Sequence, residues 1–123
     1  MQTLEQERAQ FAWKSVQDKN RDYRNLVKSA PALVMSNGLM QMLAFLKGKG
    51  KEHHLALLRH VTDWLQKKNI ISKTDFKDVM EELYTKDSFG YQQATEETMS
   101  ILRWLRHLAD TVDSTQERGG GNG

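Results

Sequence analysis

Pro31-Ala32-Leu33-Val34-Met35-Ser36-Asn37-Gly38-Leu39-Met40-Gln41-Met42-Leu43-Ala44-Phe45 decides the fold. Apolar side chains occupy nearly every direction around this stretch once it is wound as a helix. A helix of that kind belongs in the middle of a bundle. Asn37 and Gly38 take left-handed conformations readily, so the stretch divides there in a kink or a very short turn. Pro31 is the chain's single proline. It disfavours helical geometry at Ala30, which predicts a break near Ser29–Ala30.

Upstream, Ala9, Trp13, Val16, Asn20, Tyr23 and Val27 recur at steps of four and three, one stripe of a long helix from about Thr3 to Lys28. Downstream, Gly48-Lys49-Gly50-Lys51 reads as a loop. A helix from Glu52 to Lys68 follows, with Leu55, Leu58, Val61, Thr62 and Leu65 facing inward. Ser72 or Thr74 is positioned to cap a helix carrying Phe76, Val79, Met80 and Leu83. Asp87-Ser88 caps the last helix, Phe89 to Val112, whose stripe is Ala94, Thr98, Ile101, Leu105, Leu108 and Val112. Trp13, Trp64 and Trp104 stand on separate helices, and their spacing predicts partial burial in the core. The expected architecture is all-α: a compact single-domain bundle of five to six helices with long first and last members. The domain covers residues 1–113, and a flexible Gly-rich tail covers 114–123.

The chain has 123 residues, 38% hydrophobic and 28% charged. That length suits one domain, and that composition suits a folded one. Cysteine is absent, which excludes disulfides, thiolate metal ligands and a cysteine nucleophile. The longest near-apolar run, Leu39 to Leu46, is far short of the ~20 residues that span a bilayer. Residues 1–7 show neither a basic nor an apolar leader region, so a cytoplasmic protein without membrane partners is expected.

Charge is distributed unevenly although the net value is only +2. Residues 29–74 hold Lys47, Lys49, Lys51, Arg59, Lys67, Lys68 and Lys73 against Glu52 and Asp63. Residues 75–100 hold seven carboxylates against Lys77 and Lys86. A basic part attracts phosphate or acidic partners, and an acidic part attracts basic ones. Lys14, Gln17, Arg21, Arg24 and Lys28 step three and four along the expected first helix, a stripe about 21 Å long. Lys47, Lys49 and Lys51 add a basic cluster in the next loop, and Arg103, Arg106 and His107 a smaller one on the last helix. Such a stripe is either ordinary solvated surface or a contact for a nucleic-acid backbone. Asp75, Asp78 and Glu82 share a face, with Glu81 beside them; such a run is ordinarily solvated surface, and otherwise suits a subunit contact rather than catalysis.

No constellation of an enzyme emerges, and no cofactor is implied. His53, His54 and His60 share one helix, but two zinc ligands on one face usually sit four residues apart, whereas His53 and His60 are seven apart. Gly48-Lys49-Gly50-Lys51 lacks the spacing of a phosphate-binding Walker loop. No serine stands in a nucleophile elbow. Two other readings are weighed: a free-standing helical DNA-binding regulator, which lacks a convincing recognition helix, and a metal-dependent nuclease built on His53, His60 and the acidic helix.

Three stretches carry a resemblance: residues 28–46, with Asn37-Gly38-Leu39 at their centre; Tyr91-Gln92-Gln93-Ala94-Thr95-Glu96-Glu97-Thr98; and Trp104-Leu105-Arg106-His107-Leu108-Ala109. Together with Arg8-Ala9-x-x-Ala12, these resemble the small all-helical subunit of type III-B CRISPR effectors, the Cmr complex, over about residues 4–112. The resemblance implies a non-catalytic subunit whose copies stack head to tail beside crRNA and target RNA. Its implied partners are the large subunit, the backbone subunit and further copies of itself. RNA cleavage belongs to the backbone subunit, and the DNase and cyclic-oligonucleotide activities to the large one. Asn37-Gly38-Leu39 is implied as the turn between two buried helices, with Tyr91, Ala94 and Thr95 seating the last helix. His107 stands where similar proteins carry a second basic residue, which weakens an RNA role for that face at neutral pH.

Overall fold

The computed structural model describes residues 1–112, and six helices and no strands occur among them. The Gly-rich tail lies outside the described residues.

Helix α1 spans Leu4–Val16. Thr3 and Gln6 close its N-terminus reciprocally: Gln6 N–H donates to Thr3 Oγ1 at 3.1 Å, and Thr3 N–H donates to Gln6 Oε1 at 2.8 Å. The helix stops at Val16, so the expected long first helix is in fact two. Asp18 takes a left-handed conformation with φ 63°. The Asn20 side chain then accepts from Tyr23 N–H at 3.1 Å and caps α2, Arg21–Asn37. Asp and Asn compete with helical bonding through local side-chain bonds of this kind. Asn20 is in phase with the apolar stripe, but it is a cap and not a core position.

Pro31 does not break α2, contrary to expectation. A proline inside a helix costs about 3 kcal/mol. Here Val27, Ala30 and Val34 are all buried on the face that runs past it, and burying a side chain the size of valine is worth about 1.5–3 kcal/mol. The core therefore holds the helix continuous. The division comes at Gly38, with φ 92°, as the Asn37-Gly38 pair implies. Gly38 N–H donates to Val34 O at 2.8 Å, and α3 begins at Leu39 and ends at Lys49. The expected loop 48–51 shrinks to Gly50, left-handed at φ 70°, and Lys51, because α3 runs through Gly48 and Lys49.

Helix α4 covers Glu52–Lys67 and buries eight side chains, including Leu57, Val61, Trp64 and Leu65. Helix α5, Phe76–Thr85, starts after Asp75, which makes no side-chain cap bond. Ser72 and Thr74 do not cap it either. Ser72 instead donates through N–H and Oγ to Glu82 at 2.9 and 2.8 Å, which folds the connecting loop back along α5. Helix α6, Ser88–Ala109, is capped by Asp87, whose Oδ1 accepts from Gly90 N–H at 2.7 Å. At 22 residues it is the longest helix, whereas α1 has 13.

Helix α6 packs on α1, α2 and α4, and α2 also meets α3 and α4. Helix α5 lies on α3. Trp64 and Tyr23 are the largest fully buried side chains, whereas Trp13 is 48% exposed, outside the core that its spacing implied.

Candidate nucleic-acid interface

The corner between α3 and α4 carries Lys47, Lys49 and Lys51, all exposed. Gly50 sets this corner: its left-handed backbone ends α3 and turns the chain directly into α4. Lys47 Nζ lies 5.9 Å from the centroid of the Phe76 ring, and Lys49 Nζ lies 5.7 Å from that of Phe45. Each ammonium thus lies over an aromatic face while its side chain stays exposed.

Beside this corner is an open cleft of 460 Å³ between the start of α2 and the first turns of α4. Asp18, Lys19 and Asp22 line one wall, and Lys51, Glu52, His53 and Arg59 the other. The buried residues Tyr23 and Ala56 close its base. Sequence reasoning misses Lys19 and Arg59 because they converge only once α2 packs against α4. Part of the signal is present: Asp18-Lys19-Asn20 reads as a turn once the stripe running through it is disregarded.

The remaining basic residues do not form one stripe. Lys14 sits on α1 beside Lys67, in a shallow hollow with Gln10, Phe11 and Ser15. The break at Asp18 separates it from Arg21, Arg24 and Lys28 on α2. Lys28 Nζ lies 3.5 Å from Asp110 at the end of α6. Arg106 is exposed, and Arg103 lines a small groove with Arg8, Ser100, Trp104 and His107.

On the acidic side, Asp75 and Glu81 are exposed and Asp78 is half-buried. Glu82 differs from them. It accepts from Ser72 N–H, Ser72 Oγ and Lys73 N–H. Burial pushes its carboxyl up, but those bonds and Lys86 more than offset this, and it lies below the usual carboxylate range.

The histidines have structural surroundings. A hydrogen bond of 2.6 Å links His60 Nδ1 to the Tyr23 hydroxyl. Burial, with Lys19 and Arg59 nearby, lowers the His60 pKa to about 4, so the ring is neutral at pH 7. His54 packs edge-on against Phe45, and its Nδ1 is buried without a partner. Burial first, then His53, Lys49 and Lys51, lower its pKa. Among the described residues no three His, Asp or Glu side chains converge to hold a metal ion.

The residues behind the resemblance bind the helices to one another. Arg8 donates through Nε and Nη2 to the two oxygens of Glu97, each at 2.8 Å. Trp64 Nε1 donates to the same carboxylate at 2.9 Å. Tyr91 places its hydroxyl 3.1 Å from Met40 N, accepting from a free N–H at the start of α3. Gly38, the N-cap of α3, has no side chain to do this. Ala12 and Ala94 are fully buried, and Thr95 Oγ1 donates to Tyr91 O at 3.0 Å.

The family model described as CRISPR-associated protein (Cas_Cmr5) matches residues 4–112. The chain belongs to the Cmr5 family. Among its relatives, a protein named CRISPR system Cmr subunit Cmr5 from Thermus thermophilus is 26% identical over 117 residues, covering 91% of this chain and 97% of the relative. Another of the same name from Thermotoga maritima is 28% identical over 125 residues, covering 95% and 90%. A crystal structure of a CRISPR-associated Cmr5 family protein, also from Thermus thermophilus, superposes with a TM-score of 0.76 at 28% identity, covering 91% of this chain and 98% of that one. The Cmr5 family is one of non-catalytic subunits. Among the described residues no helix is long and apolar enough to cross a membrane.

Proposed function

We propose that this Cmr5-family chain is the small structural subunit of a type III-B CRISPR effector, held among the other Cmr subunits and the crRNA, and that it contacts the guide or target RNA backbone through its basic surface. The exposed triad Lys47, Lys49 and Lys51 at the α3–α4 corner carries the RNA part of this reading. Three cations on one turn match successive phosphates without reading bases. Arg21, Arg24 and Lys28 on α2 extend the basic surface, with Lys14, Arg103 and Arg106 on separate faces. The complex works in the cytoplasm, where it meets RNA targets.

Copies of the chain join head to tail through unlike faces. Asp75, Asp78 and Glu81 approach a basic region of the neighbouring copy, setting register and association rate more than affinity. Glu82 shapes the acidic face from within, because its oxygens already serve the 72–73 loop.

The test is target-RNA capture by the reconstituted complex at several salt concentrations. Alanine at Lys47 and Lys49 should weaken capture and lower the slope of log K against log salt by about 0.7–0.9 per lost phosphate contact, with sequence preference unchanged. Capture and slope equal to wild type would refute this placement of the RNA.

A further inference from the structure

The cleft between α2 and α4 has a lining that a simple phosphate track does not explain. Lys19, Lys51 and Arg59 stand among Asp18, Asp22 and Glu52. The ion pairs seen among the described residues, Arg8–Glu97, Lys28–Asp110, Lys68–Glu7 and Lys77–Glu81, include none of these six groups. A surface that only follows a polyanion gains nothing from three carboxylates, which repel it. A ligand with both an anionic group and hydroxyl or amino donors satisfies both sets.

We infer that this cleft seats one ribonucleoside phosphate unit, with its phosphate on Lys51 and Arg59 and its ribose hydroxyls on the facing carboxylates. The inference deepens the RNA-binding reading above and rests on it. The volume of 460 Å³ falls within the ~300–1,000 Å³ range of ligand pockets. Carboxylates that accept from ribose hydroxyls are a recurrent way of recognising a nucleoside, and the 2′-hydroxyl is what separates RNA from DNA at such a place. His53 supplies a ring for the base. It is half-buried, and its centroid lies 4.2 Å from that of His54, at an interplanar angle of 36°. His54 is in turn fixed edge-on by Phe45, with centroids 5.6 Å apart. The three rings are in contact one after another, and His53, the last of them, lines the cleft where a base can pack on it. Beneath, the Tyr23 hydroxyl is bound to His60, so the base of the cleft is rigid and already satisfied. Lys51 belongs both to the basic corner and to the cleft, so a strand that follows the corner passes the cleft.

The experiment is an amide-resolved NMR titration of the full chain with 5′-UMP, a short single-stranded RNA and the matching DNA. The amides of Lys19, Glu52 and His53 should shift with UMP and with RNA, and DNA should bind several-fold more weakly. Lys51→Gln with Arg59→Gln should weaken RNA binding about a hundredfold, since each removes a charge-assisted bond. Asp18→Asn with Asp22→Asn, on the wall facing Lys51 and Arg59, should erase the preference for RNA over DNA. Lys77→Ala, on α5, should change nothing. Shifts with UMP alone would mark the cleft as a seat for free nucleotides and overturn the link to a strand. RNA binding with shifts confined to other faces, unaffected by these variants, would overturn the cleft assignment while leaving the RNA reading standing. No RNA binding by the chain and no loss of target capture in the assembled complex on removing Lys47 and Lys49 would overturn both.

Discussion

Arg8 and Glu97 lie 89 positions apart in sequence, yet they meet through two bonds of 2.8 Å, with side chains only 21% and 13% exposed. Trp64 completes the junction from α4, so one carboxylate ties three helices together. Burial alone would raise the Glu97 carboxyl. Arg8 and Trp64, together with Lys68, hold it below the usual range. Glu97→Gln leaves a largely buried guanidinium without its counter-charge and should destabilise the fold by about 2 kcal/mol. A double-mutant cycle with Arg8→Met, read by chemical denaturation, should give a coupling above about 1 kcal/mol. Additive single effects would show that the pair is worth no more than an exposed one.

Stability should depend on pH through His60. Its folded pKa, about 4, lies below the ordinary histidine value of 6.5. The unfolded state therefore binds the proton more readily. His60 contributes stability that is complete above pH 6.5 and is lost as pH falls towards about 4. The melting temperature should drop between about pH 7 and pH 5, before ordinary carboxylates titrate, and His60→Gln should flatten that part of the curve. An unchanged curve in the variant would assign the acid sensitivity to His54, whose pKa is lowered as well.

Gly38→Ala should cost about 2–3 kcal/mol, because φ 92° with ψ 161° lies in a region that essentially only glycine occupies. A Cβ there would meet Tyr91 Oη at an ordinary 3.8 Å, so the penalty comes from the backbone at φ 92° and not from crowding. Tyr91→Phe removes the acceptor for Met40 N–H and should cost about 1 kcal/mol, the size of a lost N-cap. Thermal melts of both variants check these values.

The acidic helix separates two roles. Glu82→Gln weakens the bonds that hold Ser72 and Lys73, and the melting temperature should fall. Asp78→Asn with Glu81→Gln removes both charges without setting lysines beside Lys77, and should leave the melting temperature close to wild type and reduce incorporation of successive copies into the complex, measured by native mass spectrometry. Stacks of normal length from the double variant would remove Asp78 and Glu81 from the contact.

Much of this is legible in the sequence wherever a local rule acts alone. Gly38 turns the chain because only glycine sits comfortably at its φ, and Asp87 caps α6 as a short carboxylate before a helix does. The break at Asp18 is hidden because Asn20 falls in phase with the stripe, and periodicity cannot tell a cap from a core position. Pro31 misleads in the opposite sense, since burial of Val27, Ala30 and Val34 overrides a local preference. Within the candidate site, Lys47, Lys49 and Lys51 stand close together in sequence and can be read directly. Lys19 and Arg59 are brought together by tertiary packing alone, as are Arg8 and Glu97, so neither pairing leaves a local trace.

The hydroxyl that finishes α3 belongs to a residue 51 positions further along the chain. During synthesis, the apolar hairpin of α2 and α3 therefore emerges from the ribosome well before the group that terminates it properly. Folding waits for α6 above all because its Ala94, Ile101, Leu102 and Leu105 fill the core against α1, α2 and α4, and a chain truncated after Asp87 should stay a loosely collapsed species by circular dichroism and dye binding. Quality control in the cell would then act on translation products cut short just before the last helix, and assembly would draw only on chains synthesised nearly to their end.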